Sequence, residues 1–191
     1  MSKTTDDHTY YRRTGKTKFK LVEEAISMIL PRSILDVGCN NGDMSYPFQR
    51  SDCRVKGVDL SKDLRLPKDY TFERMDITSY NFIEKFDCVM FLSLYHHLWG
   101  NHGLRVADEV FFKLLLSSGF LLFDTGNTSE VERKNTYWYK AQKSATEQRI
   151  INHFGIPWRT VGRWSVAGGK RSLVLFRSAD FDNAVSVNQT Y

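Results

Sequence analysis

From Thr17 to Leu30 the apolar residues Phe19, Val22, Ala25, Ile26 and Ile29 recur at three- and four-residue spacing. That spacing marks one face of a helix, and Pro31 ends it. Beyond Pro31 the pattern changes to short β-rich runs: Ser33 to Gly38, Arg54 to Val58, Thr71 to Arg74, Phe86 to Leu92 and Gly119 to Phe123. Between them lie stretches able to hold helices, notably Asp43 to Arg50 and His102 to Leu116. Strands that alternate with helical segments predict an α/β fold with a mostly parallel sheet and helices on both faces. Val131 to Phe154, polar and free of proline, reads as a further helix with an irregular start. Thr160 to Val166 and Arg171 to Arg177 are strand patterns joined around Gly168-Gly169, which predicts a C-terminal antiparallel hairpin.

At 191 residues, 41% hydrophobic and 26% charged, the chain has the size and composition of one globular domain. Residues 1–16 read as a polar arm that is mobile or contacts substrate, and 179–191 as a flexible tail. The longest strongly apolar stretch, Cys88 to Tyr95, is far short of the roughly 20 residues that a membrane span needs. The charged first twenty residues lack the apolar core of a secretory signal, so the expected location is the cytoplasm. Cys39, Cys53 and Cys88 have neither paired short spacing nor even number, which predicts no metal and no disulfide. Lys and Arg exceed Asp and Glu by 27 to 22, a net charge of +5 that suits a polyanionic partner such as RNA or simply a solvated basic surface. Gly15-Lys16-Thr17 is no phosphate-binding loop, since the earlier glycine and the preceding strand are absent.

The chemistry centres on Asp36-Val37-Gly38-Cys39-Asn40-Asn41-Gly42. An apolar strand runs into a turn where Gly38 and Gly42 let backbone approach a ligand. An aspartate two residues before the first glycine would repel a pyrophosphate and welcome a cation or an amino group. The implied ligand joins a nucleoside to a positive group, and S-adenosylmethionine has that constitution. Asp59, followed by Leu60, ends the next strand where a carboxylate can accept both ribose hydroxyls. Asp76 and Ile77 follow the third strand, suited to the adenine amino group and ring. The fourth strand delivers Ser93 to the edge where the methyl group would point.

In this order the motifs resemble those of the class I, seven-stranded, Rossmann-like S-adenosylmethionine-dependent methyltransferases over nearly the whole chain. The resemblance implies their fold, cofactor and activity. The segment Ser93-Leu94-Tyr95-His96-His97-Leu98-Trp99-Gly100-Asn101-His102-Gly103 is similar to a shortened form of one in the bicoid-interacting-protein-type RNA methyltransferases, which act on terminal phosphates. Leu94-Tyr95-His96 is also similar to transfer-RNA wobble-uridine modifying enzymes. Both likenesses imply RNA methylation.

The candidate catalytic residues are therefore Tyr95, His96 and His97, although the histidines are equally suited to capping the fourth strand. Candidate substrate contacts are Tyr11, Arg12, Arg13, Trp99, Lys170 and Arg171, with a solvated arm and a core tryptophan as the plainer readings. A terminal phosphate is already a nucleophile at neutral pH, whereas a hydroxyl acceptor needs a base such as a histidine. Two other functions fit the same motifs: methylation of a small molecule at oxygen or nitrogen, and a non-catalytic cofactor-binding partner of another subunit.

Overall fold

The apolar runs pair as the alternation predicts, in parallel, around β1 (Ser33–Val37). The structure, a computed structural model, describes residues 8–126, 151–152, 154–155, 157–166 and 169–178, with side chains for 17–126, 151–152, 154–155, 157–165 and 171–178. The strands β2 (Arg54–Asp59), β3 (Thr71–Arg74), β4 (Phe86–Leu92) and β5 (Ser118–Asp124) run parallel to β1. The hairpin strands β6 (Arg159–Val166) and β7 (Gly169–Arg177) complete one seven-stranded sheet in the order β3-β2-β1-β4-β5-β7-β6, with β7 antiparallel to both neighbours. The strand order reverses beside β1, so the carboxyl ends of β1 and β4 open a crevice, where ligands of such sheets bind.

Both faces of the sheet are covered, which is why β4 is almost continuously apolar. Cys88, Met90 and Leu92 face the side that also buries Val22, Ala25 and Ile26 of helix α1 (His8–Ile29). Val89 and Phe91 face the side occupied by α2 (Tyr95–His102) and α3 (Leu104–Leu116). Phe111 of α3 is fully buried there among the rings of Tyr95, Phe123, Phe154 and Phe176. Among the described residues no helix is long and apolar enough to cross a membrane, and no three metal-ligating side chains come together.

Four sequence expectations are corrected. The helix predicted from Thr17 already begins at His8, so much of the expected arm has helical backbone. Asp43 to Arg50 holds only the 3-10 turn Tyr46–Phe48, because Pro47 removes a backbone donor and the turn is tied back to Gly42 by the Ser45 and Tyr46 amides. The segment after Ser93, not among the stretches assigned to helices from the sequence, is the helix α2. Gly103, at φ +87°, then separates it from α3, so the helix expected from His102 starts at Leu104. The expected helix over Val131–Phe154 and the tail 179–191 lie outside the described residues, apart from 151–152 and 154.

Candidate active site

The turn after β1 is built by two glycines in left-handed backbone, Gly38 at φ +75° and Gly42 at φ +78°, with Asn40 at +48° between them. The amides of Gly38 and Cys39 both donate to the carbonyl of Val58, at 2.8 and 3.3 Å, which ties the turn to β2. A Cβ on Gly38 would stand 3.0 Å from Leu94 Cδ2, so the missing side chain lets the start of α2 close over the turn. Two small clefts flank Gly38, of about 80 and 120 Å³.

The first cleft is lined by Lys18, Asp36, Gly38, Cys39, Asn40 and Ser93, among others. Asp36 is buried, and its Oδ2 has no hydrogen-bond partner among the described residues. Burial pushes its carboxyl up to about 6, against the hydrogen bond from Ser45 and the charge of Lys18, while Asp59 adds to the rise. Ser45 is held in turn by the Tyr70 hydroxyl at 2.6 Å. An orphaned carboxylate oxygen inside a cleft is costly unless a donor meets it, and an α-ammonium group supplies one. The thiol of Cys39 is pushed up by burial and by Asp36, so it stays protonated.

The second cleft is lined by Asp59, Leu60, Met75, Asp76, Ile77, Leu94, His97, Leu98, Asn101 and His102, together with Gly38 and Val58. Asp59 Oδ2 accepts from Asn40 N at 2.9 Å and Oδ1 from Ser61 N at 2.8 Å, which fixes the carboxylate at the cleft wall. Asp76 caps the turn Ile77–Ser79 through Oδ1, accepting from the Thr78 amide and hydroxyl at 2.9 Å each. Apolar walls from Met75, Ile77, Leu94 and Leu98 with these carboxylates at the rim suit a nucleoside. S-adenosylmethionine thus fits the residues present: ribose and adenine against Asp59 and Asp76, the amino-acid portion against Asp36.

At the ends of β4 and β5 four polar side chains converge. Ser93, at φ +58°, donates its amide to the carbonyl and to Oδ1 of Asp124. Its Oγ accepts from Arg171 Nη1 at 2.8 Å and from Lys18 Nζ at 3.1 Å. Lys18 also pairs with Asp124 at 3.3 Å, and Arg171 stands 3.8 Å from the same carboxylate. All three charged residues are buried.

The expected catalytic residues do not gather here. Tyr95 is 2% exposed, and its hydroxyl donates to Asp108 at 2.6 Å between α2 and α3. This corrects its assignment, since a core phenol cannot reach an acceptor. His96 is sealed equally well: its Nδ1 accepts from the Gly126 amide at 3.1 Å, and a Cβ on Gly126 would touch the ring. Burial, then His97, Arg171 and Lys18, hold its pKa well below the usual value, so it is a neutral cap on the chain leaving β5 and not a base. His97 lines the nucleoside cleft, its ring centroid 4.2 Å from that of His96. Trp99 is half-buried and packs edge-on against Tyr95. Arg171 is turned inward onto Ser93 and Asp124, which corrects its reading as a surface phosphate contact. The side chains of Tyr11, Arg12, Arg13 and Lys170 lie outside the described residues.

Lys18, Ser45, Tyr70 and Asp124 were not among the site residues expected from the sequence. Only Asp124 carried a signal, as an acid ending a strand. The state of Asp36 yields a testable pH dependence. Its folded pKa exceeds the ordinary carboxylate value, so the folded apo protein binds the extra proton between about 4 and 6, and this residue's contribution to stability falls as pH rises through that window. An ammonium ligand prefers the ionised carboxylate, so affinity moves the other way. Binding of S-adenosylhomocysteine should weaken about tenfold from pH 7 to pH 5. In Asp36→Asn the dependence should vanish, as calorimetric titrations across that range would show; an unchanged slope would refute the role.

Residues 34–115 match the family model of a methyltransferase domain. Over 202 aligned residues the chain is 23% identical to nodulation protein NoeA of Rhizobium meliloti strain 1021, covering 91% of this chain and 42% of that protein. The fold is similar to that of the bifunctional kinase-methyltransferase WbdD, with a TM-score of 0.66 at 17% identity over 87% of this chain and 40% of that one. It is also similar to the plantazolicin methyltransferase BpumL bound to S-adenosylhomocysteine, with a TM-score of 0.55 at 20% identity over 76% of this chain and 67% of that one. The chain spans less than half the length of the curated relatives it matches.

Proposed function

Since this chain has the fold of a class I methyltransferase domain whose cofactor is S-adenosylmethionine, we propose that it transfers the methyl group to a small polar molecule. The carrying observation is the pair of clefts around Gly38, one walled by orphaned Asp36 and the other by Asp59 and Asp76. The fold is shared with a plantazolicin methyltransferase, which supports an acceptor other than RNA. When bound, the cofactor supplies an electrophilic methyl group on a sulfonium. The chain's own task is alignment, because such a displacement depends on holding the acceptor in line. Asp59 and Asp76 fix the nucleoside, Asp36 fixes the ammonium, and Leu94 closes over Gly38 to keep water out.

RNA is the alternative acceptor, supported by the net charge of +5. It now rests on Tyr11, Arg12, Arg13 and Lys170, without Arg171. Titration of S-adenosylhomocysteine into the full chain should give saturable heat, and Asp59→Ala should weaken binding by about 1–3 kcal/mol, the cost of leaving buried hydroxyls unpaired. Absence of heat from the wild type would end the methyltransferase reading. Incubation with labelled cofactor and separate pools of RNA, DNA and small metabolites then identifies the acceptor class. Label confined to the RNA pool would reverse the choice made here, and label appearing only after a second protein is added would mark a regulatory subunit.

A further inference from the structure

The acceptor side of the cleft lacks a base among the described residues. Tyr95 and His96 are sealed in the core, His97 and His102 line the nucleoside cleft, and Asp124 is clamped between Lys18 and Arg171. What the site presents beside Ser93 is positive charge. Lys18, 9% exposed as a residue, lines the first cleft with Ser93 and Leu92, and its ammonium, 5.9 Å from the centroid of the Trp164 ring, carries a third N–H beyond those directed at Ser93 and Asp124. Arg171 stands directly behind it on the same Ser93 oxygen. The acids Asp36 and Asp43 also line this cleft but belong to the glycine turn, where the cofactor's ammonium is expected. The charge of Lys18 reaches Asp36, so the cleft is graded from acidic at the turn to basic at the ends of β4 and β5.

We propose that the acceptor is an oxyanion, a carboxylate or a phosphate monoester, that docks against Lys18 at the Ser93 edge of the cleft. This rests on the methyltransferase reading and names its substrate class. Such a nucleophile is ionised at neutral pH and needs no base. The acceptor oxygen forms a bond to the methyl carbon, the carbon–sulfur bond breaks with its electron pair left on sulfur, and no proton moves. The product is a methyl ester. Burial makes a lysine strong in this role, because a charge-assisted hydrogen bond is little screened there.

The test uses the full chain saturated with S-adenosylhomocysteine, so that failure of the cofactor reading shows first as absence of cofactor heat. Benzoate, phenyl phosphate and neutral benzyl alcohol are then titrated at constant ionic strength. One or both anions should bind and the alcohol should not, and which anion binds tells carboxylate from phosphate. Lys18→Met should weaken anion binding at least tenfold in the cofactor-saturated protein, with Lys18→Arg restoring much of the loss. Equal anion binding by wild type and Lys18→Met, or none by the wild-type cofactor complex, overturns the proposal while leaving the methyltransferase reading intact. A second overturning result comes from the cofactor side. If Lys18→Met weakens S-adenosylhomocysteine but not its decarboxylated analogue, Lys18 holds the cofactor's own carboxylate and not an acceptor.

Discussion

Asp124→Ala is expected to lower unfolding stability by about 3–5 kcal/mol, the usual cost of removing one partner from a buried ion pair. The carboxylate is fully buried between Lys18 and Arg171, and it accepts the Ser93 amide as well. Its loss strands two buried cations without this partner and removes an acceptor from a residue held in left-handed backbone. The variant Lys18→Met in the same background should recover part of the loss, because one of the stranded charges is then gone. Urea midpoints of the two single variants and the double variant measure this coupling. A single-variant loss under about 1 kcal/mol would mean that the cluster is solvated and would remove the physical basis for treating it as a built site.

That cluster also explains what the sequence could and could not convey. Asp36, Gly38, Gly42 and Asp59 are local signals, each tied to a strand end by the chemistry of its own few residues, and the structure sets Asp36 and Asp59 in two clefts that meet at Gly38. Lys18, Ser93, Asp124 and Arg171 come from α1, the end of β4, the end of β5 and β7, as far as 106 residues apart for the Lys18–Asp124 contact. No spacing rule reaches across that distance; only the sheet order brings them together. The α2 helix was hidden for a different reason. Tyr95 to His102 contains a glycine and three histidines and has little helical periodicity of its own, so its conformation comes from burying Tyr95 and Leu98 against the sheet. Within that helix the two histidine rings stay in contact, with centroids 4.2 Å apart, but His96 is buried while His97 lines the nucleoside cleft, so the pair that the sequence offered does not share one environment.

Phe111→Ala is the second large effect, expected to cost about 3–5 kcal/mol. The ring is fully buried, stacks on Phe154 with centroids 3.8 Å apart, and meets Phe123 at 5.3 Å, Phe176 at 5.4 Å and Tyr95 at 6.4 Å edge-on. Aromatic neighbours held by β5, β7 and α2 cannot collapse into the space, and a cavity is left. Its neighbour Phe112, 44% exposed, supplies the internal control: Phe112→Ala should shift the denaturation midpoint by far less. The loss should also reach the ligand. Tyr95 anchors α2 to Phe111, and α2 carries His97, Asn101 and His102 into the nucleoside cleft, whereas Asp36 and its Ser45–Tyr70 support lie on the other face of the sheet. Phe111→Ala should therefore weaken adenosine and S-adenosylhomocysteine by similar factors, since both lose only the nucleoside contacts. Asp36→Asn should weaken S-adenosylhomocysteine and spare adenosine. Equal patterns for the two variants would show that the clefts are coupled through the glycine turn instead of being held by separate faces of the sheet.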